Sequence, residues 1–162
     1  MNKESILKLL DEKGIWYEIT NHGVVNTMDE LDKYDLPYPL GNAKNLFLKS
    51  DKSECYYLLT VSGKKRVNLK EFSNNYSSRR LSFASNDNML DILGVYPGCV
   101  TSFGLINDKR KVVKFYLDSY FINYYDIIGL HPFDNTVTLW IKVIDLIDVL
   151  KSFNIEVNTF NV

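Results

Sequence analysis

Four short segments hold the residues whose types could do chemistry. Lys44-Asn45 stands directly before the apolar run Leu46-Phe47-Leu48. A lysine at the mouth of a buried strand is a compact cation with three donors. The asparagine beside it offers both a donor and an acceptor. Residues 93–105 read Leu-Gly-Val-Tyr-Pro-Gly-Cys-Val-Thr-Ser-Phe-Gly-Leu. Glycine permits backbone angles and close approach that other residues forbid, and Pro97 fixes one dihedral and removes a donor. Such a loop can present backbone N–H groups and small side chains to a ligand, or simply connect two core elements tightly. Lys65-Arg66-Val67-Asn68-Leu69 adds charge. His131-Pro132-Phe133-Asp134-Asn135-Thr136 supplies a histidine that can serve as general base, as hydrogen-bond donor or as a structural residue. Asn135-Thr136 suits a turn.

Catalytic side chains are otherwise scarce. The chain has no GxSxG, Walker loop, HExxH or GxGxxG. Cys99 has no histidine near it in sequence and reads as a small side chain filling a tight site. Cys55 and Cys99 lack CxxC spacing, and no carboxylates cluster with His22 or His131. No metal and no cofactor are therefore expected.

The elements that must position these residues follow from spacing. Ile6, Leu9 and Leu10 form a helical stripe over 3–13, stopped by Gly14. Residues 16–19 read as a short strand. Asn26-Thr27 before Met28-Asp29-Glu30-Leu31 predicts a capped helix fading by Asp35. Residues 45–49 and 55–61 are strands joined by a turn at Asp51-Lys52-Ser53. A helix is expected at about 68–73, a strand at 81–84 and a helix at 86–93 capped by Ser85. Strands are expected at 99–106, 111–117 and 136–142, with a surface turn or half-turn of helix between Asp118 and Tyr125. Val143, Leu146, Ile147 and Leu150 mark a final helix over 143–153 that closes the ordered chain. Interleaved strands and helices with hairpins fit an α+β fold. One domain is expected, with helices packed around a mixed β-sheet.

Composition narrows the function classes. The 162 residues are 46% hydrophobic and 24% charged, a soluble globular balance. No apolar run approaches the roughly 20 residues needed to span a bilayer. The start has no apolar leader region, and the two cysteines fit a reducing compartment, so a cytoplasmic protein is expected. The net charge of −1 conceals a basic middle. Residues 44–114 hold 13 Lys+Arg against 6 Asp+Glu, a net of +7, while the segments on either side are each at −4. A local basic surface attracts a polyanion even on a slightly acidic protein.

Taken in order, Lys44-Asn45-Leu46-Phe47-Leu48, Lys65-Arg66-Val67-x-Leu69, Pro97 to Leu105 with Asn107-Asp108, and His131-Pro132-x-x-Asn135-Thr136 resemble the YbaK/prolyl-tRNA synthetase-associated family. The likeness runs from about residue 5 to 153 and is nearest to the free-standing alanyl-tRNA(Pro) deacylases. It implies a mixed α/β fold and removal of wrongly attached amino acids from tRNA. The resemblance assigns Lys44 to the terminal adenosine and phosphate of the tRNA end and Asn45 to support of that same end. It places Gly98, Cys99, Val100, Thr101 and Ser102 on the loop written GxxxP in the family, whose backbone lies against the aminoacyl ester. It puts His131 at the border of the amino-acid pocket. Phe103 and Asn135 complete the implied substrate-binding set. Catalytic roles are thus expected for Lys44, Gly98 and His131. The ribose hydroxyl beside the ester would help position the water, so no protein base is required. The implied partner is the acceptor end of tRNA(Pro), with prolyl-tRNA synthetase a further candidate.

One position departs from the pattern. Ser102 stands where the family usually has proline, restoring a backbone donor and a free dihedral. The departure bears on amino-acid preference. It leaves two alternatives: a proline-responsive tRNA-binding regulator that has lost the reaction, or a deacylase for cysteine, serine or threonine.

Overall fold

Tyr56-Tyr57-Leu58-Leu59-Thr60-Val61-Ser62 is apolar or small at nearly every position, which suits a strand buried on both faces. The computed structural model, which describes residues 1–77 and 79–162, places this strand (β3, Tyr56–Ser62) at the centre of a five-stranded sheet with all seven residues buried. β2 (Ala43–Ser50) pairs with it antiparallel, in a register that sets Lys44 against Val61 and Asn45 against Thr60. On its other side lies β5 (Val113–Asp118), parallel, followed by β8 (Val157–Phe160), also parallel. β4 (Leu81–Phe83) covers the outer edge of β2, but its pairing reaches Leu48–Ser50 and stops there. The Ala43–Leu46 end of β2 is left as an edge.

A second, antiparallel sheet has the order β1 (Tyr17–Asn21), β7 (Val137–Lys142), β6 (Ile127–Leu130). An isolated bridge from Asn42 to Gly129 joins the start of β2 to this sheet. Gly129 lies opposite Trp140, where a Cβ would come within 2.4 Å of the indole. The missing side chain is what lets Trp140 fold flat across its neighbour.

The main core lies on the face of the large sheet that carries Phe47, Leu58 and Phe115, and it packs against helices α1 (Lys3–Glu12) and α6 (Val143–Ser152). A smaller core on the opposite face joins Leu48, Tyr57, Leu59, Phe72 and Phe160. A third gathers Val25, Leu31 and Leu36 around Trp140. The short helices start where the caps predict: α2 (Met28–Leu31) on Thr27, α3 (Leu69–Phe72) on Asn68 and α4 (Asn86–Asn88) on Ser85. α5 (Tyr120–Asn123) fills the expected turn after β5.

The α+β class is as the sequence predicts, with four differences. The strands form two sheets rather than one. The strand expected at 99–106 is a loop followed by a 3-10 turn over Ser102–Asn107. Its apolar residues Phe103, Leu105 and Ile106 are buried all round, and a short buried run has the same pattern whether coiled or extended. α6 does not close the ordered chain, because β8 follows it and pairs with β5. β6 was also unforeseen: four residues interrupted by Gly129 give too short a pattern to read.

Candidate functional site

The uncovered end of β2 forms one wall of a cavity of about 290 Å³ lying between the two sheets. Lys44, Asn45, Gly98, Val100 and His131 all line it. Lys44 and Asn45 are adjacent on β2, so their side chains leave opposite faces of the strand. The Lys44 Nζ donates to the Lys65 carbonyl. Burial, with the Arg66 guanidinium second, pushes its ammonium below the usual lysine range. Lys65 is itself fixed at 3.0 Å by the fully buried Asp118 carboxylate, which also accepts from the Ser62 and Tyr120 amides at 3.2 and 3.0 Å.

Asn45 turns inward to hold the glycine loop. Its Nδ2 donates to the Val100 carbonyl at 3.1 Å, and its Oδ1 accepts from the Thr60 hydroxyl at 2.6 Å. Gly98 takes φ +84°, a left-handed conformation, and a Cβ there would meet the Asn26 Oδ1 at 2.7 Å. Asn135 reaches the site through Asn26, donating from Nδ2 to that same oxygen at 3.4 Å. The loop N–H of Cys99 is spent on the Tyr96 carbonyl at 3.0 Å. The N–H groups of Gly98 and Val100 meet no acceptor among the described residues.

His131 places its Nδ1 2.9 Å from the Val137 carbonyl. A carbonyl only accepts, so Nδ1 carries the proton and the neutral ring keeps Nε2 as an acceptor. His22 lies 6.2 Å away, ring to ring, and its Nε2 is 2.9 Å from the hydroxyl of Thr138, a residue that also lines the cavity. Burial lowers the His131 pKa, and the neighbouring His22 adds to that; the bond to Val137 opposes it. Below about pH 6.5 the unfolded chain takes a proton that the folded site resists. His131 thus contributes stability that is complete above that pH and lost as pH falls toward the folded pKa. Asp134 is held at about 2 by hydrogen bonds, first from Lys3 and then from Thr136, so it stays ionised across this window. His131→Asn keeps a donor for Val137 and removes the titration. Urea unfolding at about pH 5 and about pH 7.5 should show a smaller acid loss in the variant than in the wild type.

The remaining residues expected at the site lie elsewhere. Thr101, Ser102 and Phe103 are fully buried behind the cavity wall, and Cys99 is half-buried beside it. Burial pushes the Cys99 thiol up, which keeps it protonated rather than nucleophilic. Among the described residues the hydroxyl of Ser102 has no hydrogen-bond partner, nor does that of Thr101. Ser102 is buried and is not among the residues that line the cavity. Thr101 is extended at φ −145°, ψ 149°, which suits a residue before proline, and Ser102 opens a 3-10 turn, which suits proline itself. Ser102→Pro should stabilise by about 0.4–1 kcal/mol in chemical denaturation and leave ligand contacts unchanged; a destabilised variant would contradict this placement.

Sequence reasoning missed Asn26, Thr60, Thr138 and Asp118. Asn26 was legible only as a helix cap, and Asp118 as part of a surface turn. Among the described residues no three His, Cys, Asp or Glu side chains gather as a metal would require.

The model of the aminoacyl-tRNA editing domain matches residues 22–149. The chain is 31% identical over 150 residues to the prolyl-tRNA editing protein ProX of Acetoanaerobium sticklandii, covering 93% of this chain and 91% of that one. It is 32% identical over 138 residues to prolyl-tRNA synthetase associated domain-containing protein 1 of Mus musculus, covering 83% and 81%. A solved structure described as a candidate trans-editing enzyme for prolyl tRNA synthetase superposes with TM-score 0.66 at 15% identity, covering 99% and 96%. A likeness that distant speaks to the fold alone.

Proposed function

The chain belongs to the aminoacyl-tRNA editing domain family, and from that premise we propose that it clears alanine from mischarged tRNA(Pro). Its class of activity is aminoacyl-tRNA deacylation, and its substrate is tRNA. The observation that carries the finer reading is the pair of unengaged N–H groups, Gly98 and Val100, on a cavity that also holds Lys44 and His131.

Water attacks the ester carbonyl carbon, the bond to the ribose oxygen breaks, and free amino acid leaves the tRNA. The attack builds negative charge on the carbonyl oxygen. Fixed backbone donors aimed at that charge lower the barrier without reorganising. Gly98 and Val100 supply them, and Asn45 keeps the loop in place through the Val100 carbonyl. Lys44 takes the phosphate and terminal adenosine. The neutral His131 offers Nε2 as an acceptor to the α-ammonium of the amino acid or to the incoming water. The adjacent ribose hydroxyl orients the water, which removes the need for a protein base. Discrimination rests on cavity size: the space left for the amino acid beside the loop is taken to fit alanine and to exclude the larger proline ring. Steric discrimination of this kind is worth about 1–3 kcal/mol per methylene. Among the described residues no helix is long and apolar enough to cross a membrane. The basic middle of the chain meets the acceptor stem, we infer, in the cytoplasm, where tRNA(Pro) and prolyl-tRNA synthetase are found.

A panel of aminoacyl-tRNAs tests the reading. Alanyl-tRNA(Pro) should be hydrolysed and prolyl-tRNA(Pro) spared. Faster release of cysteine, serine or threonine would reassign the amino acid, and no release from any member would overturn the reading.

A further inference from the structure

Beside the editing cavity lies a second one of about 240 Å³, and Met28 borders both. One water occupies roughly 30 Å³ of liquid, so the space suits a ring-sized ligand. Its walls are Tyr120, Pro39 and Leu40, with Lys64 and Lys65 on one side and Asn42 at the base. Asn42 is the informative residue. It is 5% exposed, yet neither its Nδ2 nor its Oδ1 has a hydrogen-bond partner among the described residues. Leaving a buried amide unpaired is costly. The backbone of Asn42 is well fixed, because its carbonyl accepts from the Gly63 amide at 2.8 Å and it bridges to Gly129.

The surroundings fit a flat, polar-edged ring. The Tyr120 hydroxyl donates to the Leu40 carbonyl at 3.2 Å, which locks its ring, and the Lys65 ammonium sits 5.1 Å from the centre of that ring. Lys65 is engaged by Asp118, whereas Lys64 is exposed and has no ion-pair partner among the described residues. Asn42 also precedes Lys44 by two residues, the spacing that puts side chains on one face of an extended chain. The Lys44 ammonium meets the Lys65 carbonyl, so the two cavities share a wall.

We propose that this second cavity binds the nucleobase preceding the ester-bearing adenosine of the tRNA end, with the Asn42 amide reading its hydrogen-bonding edge. The inference rests on the editing reading, because it places the neighbouring nucleotide in the first cavity. A side-chain amide pairs with adjacent donor and acceptor atoms on a base edge, as cytosine offers through its amino group and ring nitrogen. Tyr120 supplies a face for stacking and Lys64 a phosphate contact.

The test uses an RNA hairpin of the acceptor stem ending in single-stranded CCA, and the same hairpin abasic at the penultimate position. Binding is measured directly, without turnover. The wild-type protein should bind the abasic hairpin about tenfold more weakly. Asn42→Leu should bind the intact hairpin about tenfold more weakly and lose the difference between the two. Its thermal midpoint should equal or exceed that of wild type, because the substitution removes an unpaired buried amide. A structural Asn42 would instead give a destabilised variant with unchanged base preference, which overturns the proposal. Equal binding of both hairpins by wild type overturns it whatever the variants do. Deacylation by wild type together with equal hairpin binding refutes this inference and leaves the editing reading standing. Base-dependent binding without deacylation of any aminoacyl-tRNA does the reverse.

Discussion

On the proposed reading, Lys44→Ala should lower kcat/KM for alanyl-tRNA(Pro) about 10²–10³-fold, a loss of ~3–4 kcal/mol, while the protein stays folded. Both halves follow from the local geometry. The ammonium lies against a cavity wall with the Lys65 carbonyl as its hydrogen-bond partner, so truncation strands one carbonyl at a solvent-accessible site. The cation is also held where burial and the Arg66 charge disfavour it. A charge kept against its own preference contributes little to folding, and its gain comes when a phosphate arrives. Lys44→Arg keeps the charge but exchanges a compact point for a planar fork, so it should recover activity in part. Steady-state deacylation alongside a thermal melt checks this. Unchanged hydrolysis by a folded Lys44→Ala protein would remove the lysine from the mechanism.

Gly98→Ala should cost about 10²-fold in kcat. At φ +84° any L side chain is strained by about 1–2 kcal/mol. The added methyl would also meet the Asn26 Oδ1 at 2.7 Å and the Asn135 Nδ2 at 3.3 Å, so the loop or the Asn26–Asn135 contact must shift. A displacement of about 1 Å at positioned donors is enough for a hundredfold loss. Gly14→Ala is the control. Gly14 has φ +63° with nothing within 4 Å of a Cβ placed there, and it follows α1 and does not line the cavity. Both variants should lose a few degrees in thermal midpoint. Gly14→Ala should keep full activity. Equal activity of the two would show that the placement of the loop does not matter for the reaction.

The sequence made the element types legible where pattern and chemistry agreed. Caps at Thr27, Asn68 and Ser85 mark helix starts because a short polar side chain satisfies an amide that the helix leaves open. The β2–β3 hairpin was legible from two apolar runs around a polar turn. The 3-10 turn at Ser102–Asn107 was not, since a run buried on all sides has no periodicity to betray its backbone. Ser102 drew attention as a departure from pattern. Its position in the chain could not reveal that its side chain points into the core, away from the cavity.

From the sequence came the α+β class and the family likeness, and through that likeness five of the residues that line the cavity: Lys44, Asn45, Gly98, Val100 and His131. These are local properties, carried by chemistry and by neighbours in sequence. The tertiary structure decided which loop residues face the ligand and which lie behind the wall. It also joined Asn26 to Gly98 and Asn135, fastened Asn45 to Val100, and left the Asn42 amide beside Tyr120 without a partner among the described residues. Those relations span up to 109 residues of chain. They exist because β4 stops short on β2 and a second sheet packs across the gap, a consequence of strand pairing that no stretch of sequence contains.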